Sequence, residues 1–132
     1  MLTFRGLQDE QRPWAVHNFP GREPGDPLLG AVEELGELCH AHLKRKQGIR
    51  GTPAELEVAA KDAVADIVIY LADYCTARGF DFQTLMEETW AKVKARDWKA
   101  DPVTGGGGEL SRRQEGESEP LPPRYIKGHA SH

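Results

Sequence analysis

Two groups of acidic residues have the types and spacing to do chemistry. Glu33 and Glu34 lie four and three residues before Glu37, so all three share one side of a helix. Asp62 and Asp66 share a helical face further along, and Asp66 stands alone in an otherwise apolar stretch. Burying a carboxylate costs free energy unless it has a partner. We therefore expect Asp66 to face a cation, a base or solvent.

The two acidic groups can meet if their helices pack antiparallel, which the short connection Gln47–Thr52 favours. Each close pair of carboxylates then repels by about 4 kcal/mol at an effective dielectric constant of 20. A divalent cation removes that repulsion, and oxygen ligands favour Mg²⁺, with Mn²⁺ as a possible substitute. Such ions complete their shells with water and phosphate, so the pattern predicts a phosphate-bearing substrate.

Other interpretations of these side chains exist. Taken alone, the three glutamates are typical of a solvated polar face. Glu37 and His40 match the Glu-x-x-His pattern of di-iron bundles, but those need the pattern twice, and neither Asp62 nor Asp66 has a histidine three residues on. We therefore predict no di-iron site and interpret His40, like His42, as a structural or surface residue.

A basic pair could complement the acids. Lys92 and Arg96 are four residues apart, so on one helix they present two cations to phosphate groups. A solvated basic face explains the same spacing equally well, and the sequence leaves both interpretations open.

Four helices are predicted to position these side chains. The first, Leu7–Asn18, contains Pro13, which suits a start near Asp9 or else marks a kink. The second begins at Asp26 as N-cap with Pro27 in its first turn. The sequence Thr52-Pro-Ala-Glu55 is a capping box for the third. Gly48 should end the second helix, and Gly79 should follow the third, whose last residue is about Arg78. The fourth helix should begin at Phe82, with Asp81 as its cap, and end at about Trp98.

Apolar positions then predict an all-α, oligomeric bundle. One helical stripe in the second helix should be buried: Leu28, Val32, Leu35, Cys39 and Leu43. The Pro53–Arg78 helix is apolar nearly all round, which favours burial at a homodimer or homotetramer interface. Cys39 and Cys75 both fall in apolar patterns, so we expect buried free thiols and a cytoplasmic protein.

Composition separates a folded domain, 1–103, from a tail, 104–132. The tail is rich in Gly and Pro, and we expect it to be mostly disordered, although Tyr125-Ile126 could dock on a neighbour. The net charge of −4 gives no reason to expect nucleic-acid or membrane binding. We see no signal peptide and no membrane span.

Together these motifs resemble the MazG-like all-α nucleotide pyrophosphohydrolases. The similarity covers roughly residues 7–105 and consists of Glu33-Glu34-x-x-Glu37, the acid-bearing helix with Asp66-Ile-Val-Ile-Tyr-Leu71, and Lys92-Val-x-x-Arg96. It implies a four-helix-type fold, assembled as dimers or tetramers. It also implies Mg²⁺-dependent hydrolysis of nucleoside triphosphates to monophosphate and pyrophosphate, as in house-cleaning of the nucleotide pool.

The resemblance assigns roles to individual residues. Glu34, Glu37, Asp62 and Asp66 would hold the metal, and Glu33 would act as the base that activates water. Lys92 and Arg96 would neutralise the leaving pyrophosphate. The base pocket would draw on Asn18, Phe19 and Trp90.

This chain departs from the family pattern at two positions. Ala63 stands where the family has an acid, and Asp62, one residue earlier, is the substitute; Trp90 stands where many members have asparagine. These departures keep two other classes open: a non-catalytic helical interaction module with this fold, and a metal-stabilised structural bundle.

Overall fold

The fold was analysed in a computed structural model that describes residues 1–106. This part of the chain is all-helical and contains no strand, as predicted. The chain divides into two compact units, Met1–Glu87 and a second that begins at Glu88. No membrane-spanning segment is found among the helices of residues 1–106. Those helices are α1 (Phe4–Asn18), α2 (Asp26–Gln47), α3 (Pro53–Arg78) and α4 (Phe82–Lys94).

Helix α3 has the boundaries that its end signals predict. The Thr52 hydroxyl accepts from the backbone N–H of Glu55 at 3.2 Å, and the Glu55 carboxylate accepts from the N–H of Thr52 at 3.1 Å. Gly79 follows the helix with φ of 71°, a left-handed conformation that glycine adopts without a steric penalty. The capping box and the terminal glycine are thus both confirmed.

Three other helix ends differ from prediction. Helix α1 begins at Phe4, because the Thr3 side chain caps it, and Pro13 therefore lies inside the helix. Gly25 rather than Asp26 is the N-cap of α2, since the Asp26 carboxylate accepts from the N–H of Glu23. Helix α4 ends at Lys94, not near Trp98.

In the first unit, α1 and α2 both pack on α3. Helices α2 and α3 are antiparallel, as predicted: Gly30 lies against Tyr70 near one end of the pair, and Arg45 pairs with Glu57 near the other. One cluster of buried apolar residues comprises Ala72, Cys75 and Phe82, with Leu7, Val68, Leu85 and Met86 packed around it. Burial of Cys75 is thus confirmed.

The side of α2 that faces α3 was predicted wrongly. The buried or half-buried positions of α2 are Pro27, Gly30, Ala31, Glu34, Leu38, Ala41 and Lys44. Gly30 and Ala41 are small, so the α2 backbone can approach the bulky residues of α3. The predicted core stripe lies on the other side, where its four aliphatic side chains are 39–66% exposed; Cys39 is also exposed, which corrects its predicted burial.

The second unit contains a hydrogen-bonded loop after α4. The N–H of Asp97 donates to the carbonyl of Gly105 at 2.7 Å, and the Asp101 carboxylate accepts from the N–H groups of Val103 and Thr104. Hydrogen bonds from Thr104 hold the pKa of Asp101 below its usual range. Residues 104–106 of the predicted tail therefore belong to this loop, and residues 107–132, including Tyr125-Ile126, lie outside the described part.

Candidate carboxylate site

Helices α2 and α3 bring four of the predicted acidic residues into one interacting group. Glu34 is half-buried against α3, whereas Glu33 and Glu37 are exposed on α2. Loss of solvent raises the pKa of Glu34, and the charges of Glu37, Asp66 and Glu33 raise it further. We call Glu33, Glu34, Glu37 and Asp66 the carboxylate group.

Tyr70 is a member of this site that the sequence analysis missed. Burial raises the pKa of its phenol, and so do the charges of Glu34, Glu33, Asp66 and Glu37. Its ring fills the space beside Gly30, where an added Cβ would come within 2.3 Å of the ring. A glycine inside a helix, one turn before Glu34 on the same face, was the available signal.

Asp62 is placed differently from the other predicted ligands. Its side chain is exposed, and the largest charge effects on Glu34 come from Glu37 and Asp66. Ala63, which occupies the position of the family's acid, is buried, with 2% of its surface exposed. Asp62 as a metal ligand therefore stays a prediction.

The donor chemistry of the carboxylate group suits a hard cation. All its side chains offer oxygen, and the neighbouring negative charges that raise the pKa of Glu34 are charges that a bound cation would neutralise. Within residues 1–106, however, no three His, Cys, Asp or Glu side chains converge closely enough to hold a metal ion. The donor types therefore fit Mg²⁺ or Mn²⁺, but in residues 1–106 the side chains are too far apart to coordinate one ion together.

The predicted nucleotide-binding residues divide between the two units of the chain. The Asn18 amide donates to the carbonyl of Trp14 at 2.8 Å within α1, and the Phe19 ring contacts the Trp14 ring edge-on. Trp90 and Lys92 are exposed on α4, in the second unit. Arg96 follows the end of α4 and lies over the Trp98 ring, so the shared helical face expected for Lys92 and Arg96 is corrected.

Asp73, which shares a helical face with Asp62 and Asp66, has a different role. It is buried, and the Arg22 guanidinium donates to both of its carboxylate oxygens, with Nε at 2.9 and 3.1 Å. This pair ties the loop between α1 and α2 to α3. No sequence signal predicts this pair, because Arg22 lies in a Pro- and Gly-rich loop with no periodic pattern.

A cavity of about 270 Å³ lies elsewhere in the first unit, between α1 and the turn that joins α3 to α4. Arg5 and Arg12 line it together with Asp9 and Asp81, and Arg5 pairs with Asp81 at 3.1 Å. Its charges are balanced, and it contains none of the predicted site residues.

The raised pKa of Glu34 predicts a pH-dependent stability in metal-free buffer. An acid whose pKa is higher in the folded state binds more protons there, so the free energy of unfolding falls as the pH rises above the unfolded value of about 4.3. Glu34→Gln should remove this loss, giving a higher melting temperature than wild type at pH 7 and a smaller difference at pH 4. Glu10 is an exposed glutamate on α1, so Glu10→Gln is the matched control and should show neither effect.

Comparison of the chain with family models, curated proteins and solved structures finds no match. Its function must therefore be inferred from its own residues. What the site offers is a group of carboxylates on two antiparallel helices, open to solvent on the side of Glu33 and Glu37, with the half-buried phenol of Tyr70 beside it.

Proposed function

We propose that this chain is a Mg²⁺-dependent nucleoside triphosphate pyrophosphohydrolase with a MazG-like four-helix-type fold. The observation that supports the proposal is the carboxylate group, in which charged acids on α2 and α3 raise the pKa of Glu34. A group that holds several negative charges together is suited to a divalent cation, and hence to a substrate that brings phosphates. The motifs that resemble the family supply the reaction type. The homo-oligomer predicted from the sequence belongs to the same proposal.

The reaction is attack of water on the α-phosphorus, which breaks its bond to the bridging oxygen and releases pyrophosphate. Mg²⁺ held by Glu34, Glu37 and Asp66, with Asp62 as the further predicted ligand, would neutralise charge on the triphosphate. Glu33 is exposed beside them, and its carboxylate would take the proton from the attacking water.

The remaining roles in the proposal concern hydrogen bonds and charge. Tyr70 is protonated at neutral pH, as an ordinary phenol is and as the raised direction of its pKa reinforces, so it would donate a hydrogen bond to the carboxylate group. Lys92 and Arg96 would neutralise the leaving pyrophosphate, each as an independent exposed cation. Trp90, with Asn18 after rotation away from the Trp14 carbonyl, would contact the nucleoside.

A non-catalytic helical interaction module is the second candidate. Two observations favour it: no three potential ligands converge within residues 1–106, and a buried alanine occupies the position of the family's acid. This candidate predicts no turnover of any nucleotide and no effect of Mg²⁺ or Mn²⁺ on the melting temperature.

The test is release of pyrophosphate from a panel of ribo- and deoxyribonucleoside triphosphates with Mg²⁺, Mn²⁺ or chelator. We expect monophosphate and pyrophosphate in equal amounts from at least one nucleotide, and no release in chelator. Absence of release from every nucleotide with either metal would reject the enzyme. A metal-dependent rise in melting temperature in the same samples would then favour a metal-stabilised structural bundle over the interaction module.

A further inference from the structure

The polar cavity between α1 and the turn that joins α3 to α4 is held in shape by hydrogen bonds. The side chain of Gln8, a residue only 5% exposed, donates to the carbonyl of Phe80 at 2.8 Å and accepts from the N–H of Phe82 at 3.1 Å. These two bonds fix the turn against α1. The Arg5 guanidinium donates to both carboxylate oxygens of Asp81, at 3.1 and 3.3 Å. The protein's own contacts therefore form the cavity.

Two charged side chains of the cavity have no such partner. Asp9 and Arg12 both line it, and they lie three residues apart on α1, so they share one side of that helix. Both are exposed, and within residues 1–106 neither forms an ion pair. The cavity thus presents one free carboxylate and one free guanidinium about one helical turn apart.

The end of α3 adds further acceptors for a cation. Thr76 and Gly79 line the cavity at the C-terminus of α3, where the negative end of the helix dipole favours a positive charge. The Thr76 hydroxyl donates its proton to the carbonyl of Ala72 at 3.2 Å, so the lone pairs of its oxygen can accept from a ligand. A positive group is therefore favoured by Asp9 and by the end of α3, and a negative group by Arg12.

The balance of charges selects the class of ligand. A phosphate or another anion would lie beside the carboxylates of Asp9 and Asp81, and would be repelled. A polyamine would lie beside the guanidinium groups of Arg5 and Arg12, and would be repelled as well. A neutral molecule would displace water from Asp9 and Arg12 without supplying an opposite charge, which costs free energy. A molecule with one ammonium and one carboxylate group avoids these costs.

The size of the cavity restricts the ligand further. Its volume of about 270 Å³ lies just below the range of about 300–1,000 Å³ that is typical of pockets for drug-sized ligands. At about 30 Å³ for each molecule of liquid water, that volume corresponds to about nine waters, which a ligand of roughly ten non-hydrogen atoms would displace. Free α-amino acids combine this size with both charges.

We propose that this cavity binds a free α-amino acid. The carboxylate of the ligand accepts from the Arg12 guanidinium, and its ammonium group donates to the Asp9 carboxylate and to the Thr76 hydroxyl oxygen. Each free charge of the cavity then has a counter-charge. This inference is independent of the proposed function, since it needs no metal and no nucleotide.

Titration of each common amino acid into the full chain tests the site, with calorimetry and the melting temperature as the two measurements. We expect at least one amino acid to bind with Kd below about 1 mM and to raise the melting temperature, because a ligand of the native state stabilises it. The corresponding amine, which lacks the carboxylate, and the corresponding acid, which lacks the ammonium group, should each bind at least about tenfold more weakly.

Single substitutions locate the binding. Arg12→Gln and Asp9→Asn should each weaken binding at least about tenfold, because each leaves one charge of the ligand without a partner. Lys46→Gln removes the same charge from an exposed position of α2, and Glu10→Gln removes a carboxylate next to Asp9 but outside the cavity. Both controls should bind like wild type. The melting temperature without ligand shows whether each variant is folded.

Each other outcome overturns the proposal. If no amino acid binds with Kd below about 1 mM, the cavity is not a site for this class of ligand. If the amine or the acid binds as tightly as the amino acid, the site recognises a single charge. If binding survives both Arg12→Gln and Asp9→Asn, the amino acid binds elsewhere on the protein.

Discussion

Asp66→Asn is expected to reduce pyrophosphate release by more than about 100-fold, the scale of losing one group that stabilises transition-state charge. Asparagine has nearly the size of aspartate, so the packing of α3 should survive. In metal-free buffer the free energy of unfolding should stay unchanged or rise, because Asp66 is one of the negative charges that act on Glu34. The two measurements are pyrophosphate release and the melting temperature in chelator.

The metal response supplies the control for Asp66→Asn. Binding to the native state stabilises a protein by RT ln(1 + [L]/Kd), so the rise in melting temperature with millimolar Mg²⁺ should shrink in the variant. Asp9→Asn makes the same change on α1, away from the carboxylate group, and should keep both the activity and the metal response. An Asp66 variant that is destabilised and responds to metal like wild type would reject the metal site.

Local signals in the sequence were sufficient for the long helix and for most of the acidic site. The capping box at Thr52 and the glycine at 79 specify the ends of α3 within a few residues of chain, without help from the rest of the fold. The short connection between α2 and α3 forces antiparallel packing, which is why the charges of Glu37 and Asp66 could be predicted to act on Glu34; the role of these acids as metal ligands stays a prediction.

Local signals did not predict which side of α2 packs against α3. Its apolar stripe has the stronger helical period, yet α3 packs against the side with Gly30 and Ala41, where the backbones can approach. Periodicity identifies apolar positions but does not say which neighbour covers them. An apolar stripe that a partner outside the monomer covers has the same sequence pattern as one that is buried within the monomer.

Arg96 and Asp73 show the same limit for charged residues. The four-residue spacing of Lys92 and Arg96 implied one helical face, but α4 ends at Lys94 and Arg96 lies over Trp98. Asp73 shares a helical face with Asp66, yet its partner is Arg22, which reaches it from a loop 51 residues earlier. Contacts of that kind depend on tertiary packing and leave no local pattern.

Asp73→Asn should destabilise the protein by about 3–5 kcal/mol, in contrast to Asp66→Asn on the same helix. Asp73 and Arg22 are both largely removed from solvent, so the substitution leaves a buried guanidinium without its counter-charge. The measurement is the free energy of unfolding by urea at neutral pH. Arg22→Met in the Asp73→Asn background should recover part of the loss, because it removes the stranded charge.

An exposed ion pair provides the reference for that loss. Arg45 and Glu57 join α2 to α3 with both side chains about half exposed, so Glu57→Gln should cost no more than about 1 kcal/mol. The order expected among the variants is therefore a large loss at Asp73, a small one at Glu57, and none or a gain at Asp66. An equal loss at Asp66 and Asp73 would mean that Asp66 also neutralises a buried cation. That cation would neutralise Asp66 within the carboxylate group, and Asp66 would no longer be available to hold a divalent ion.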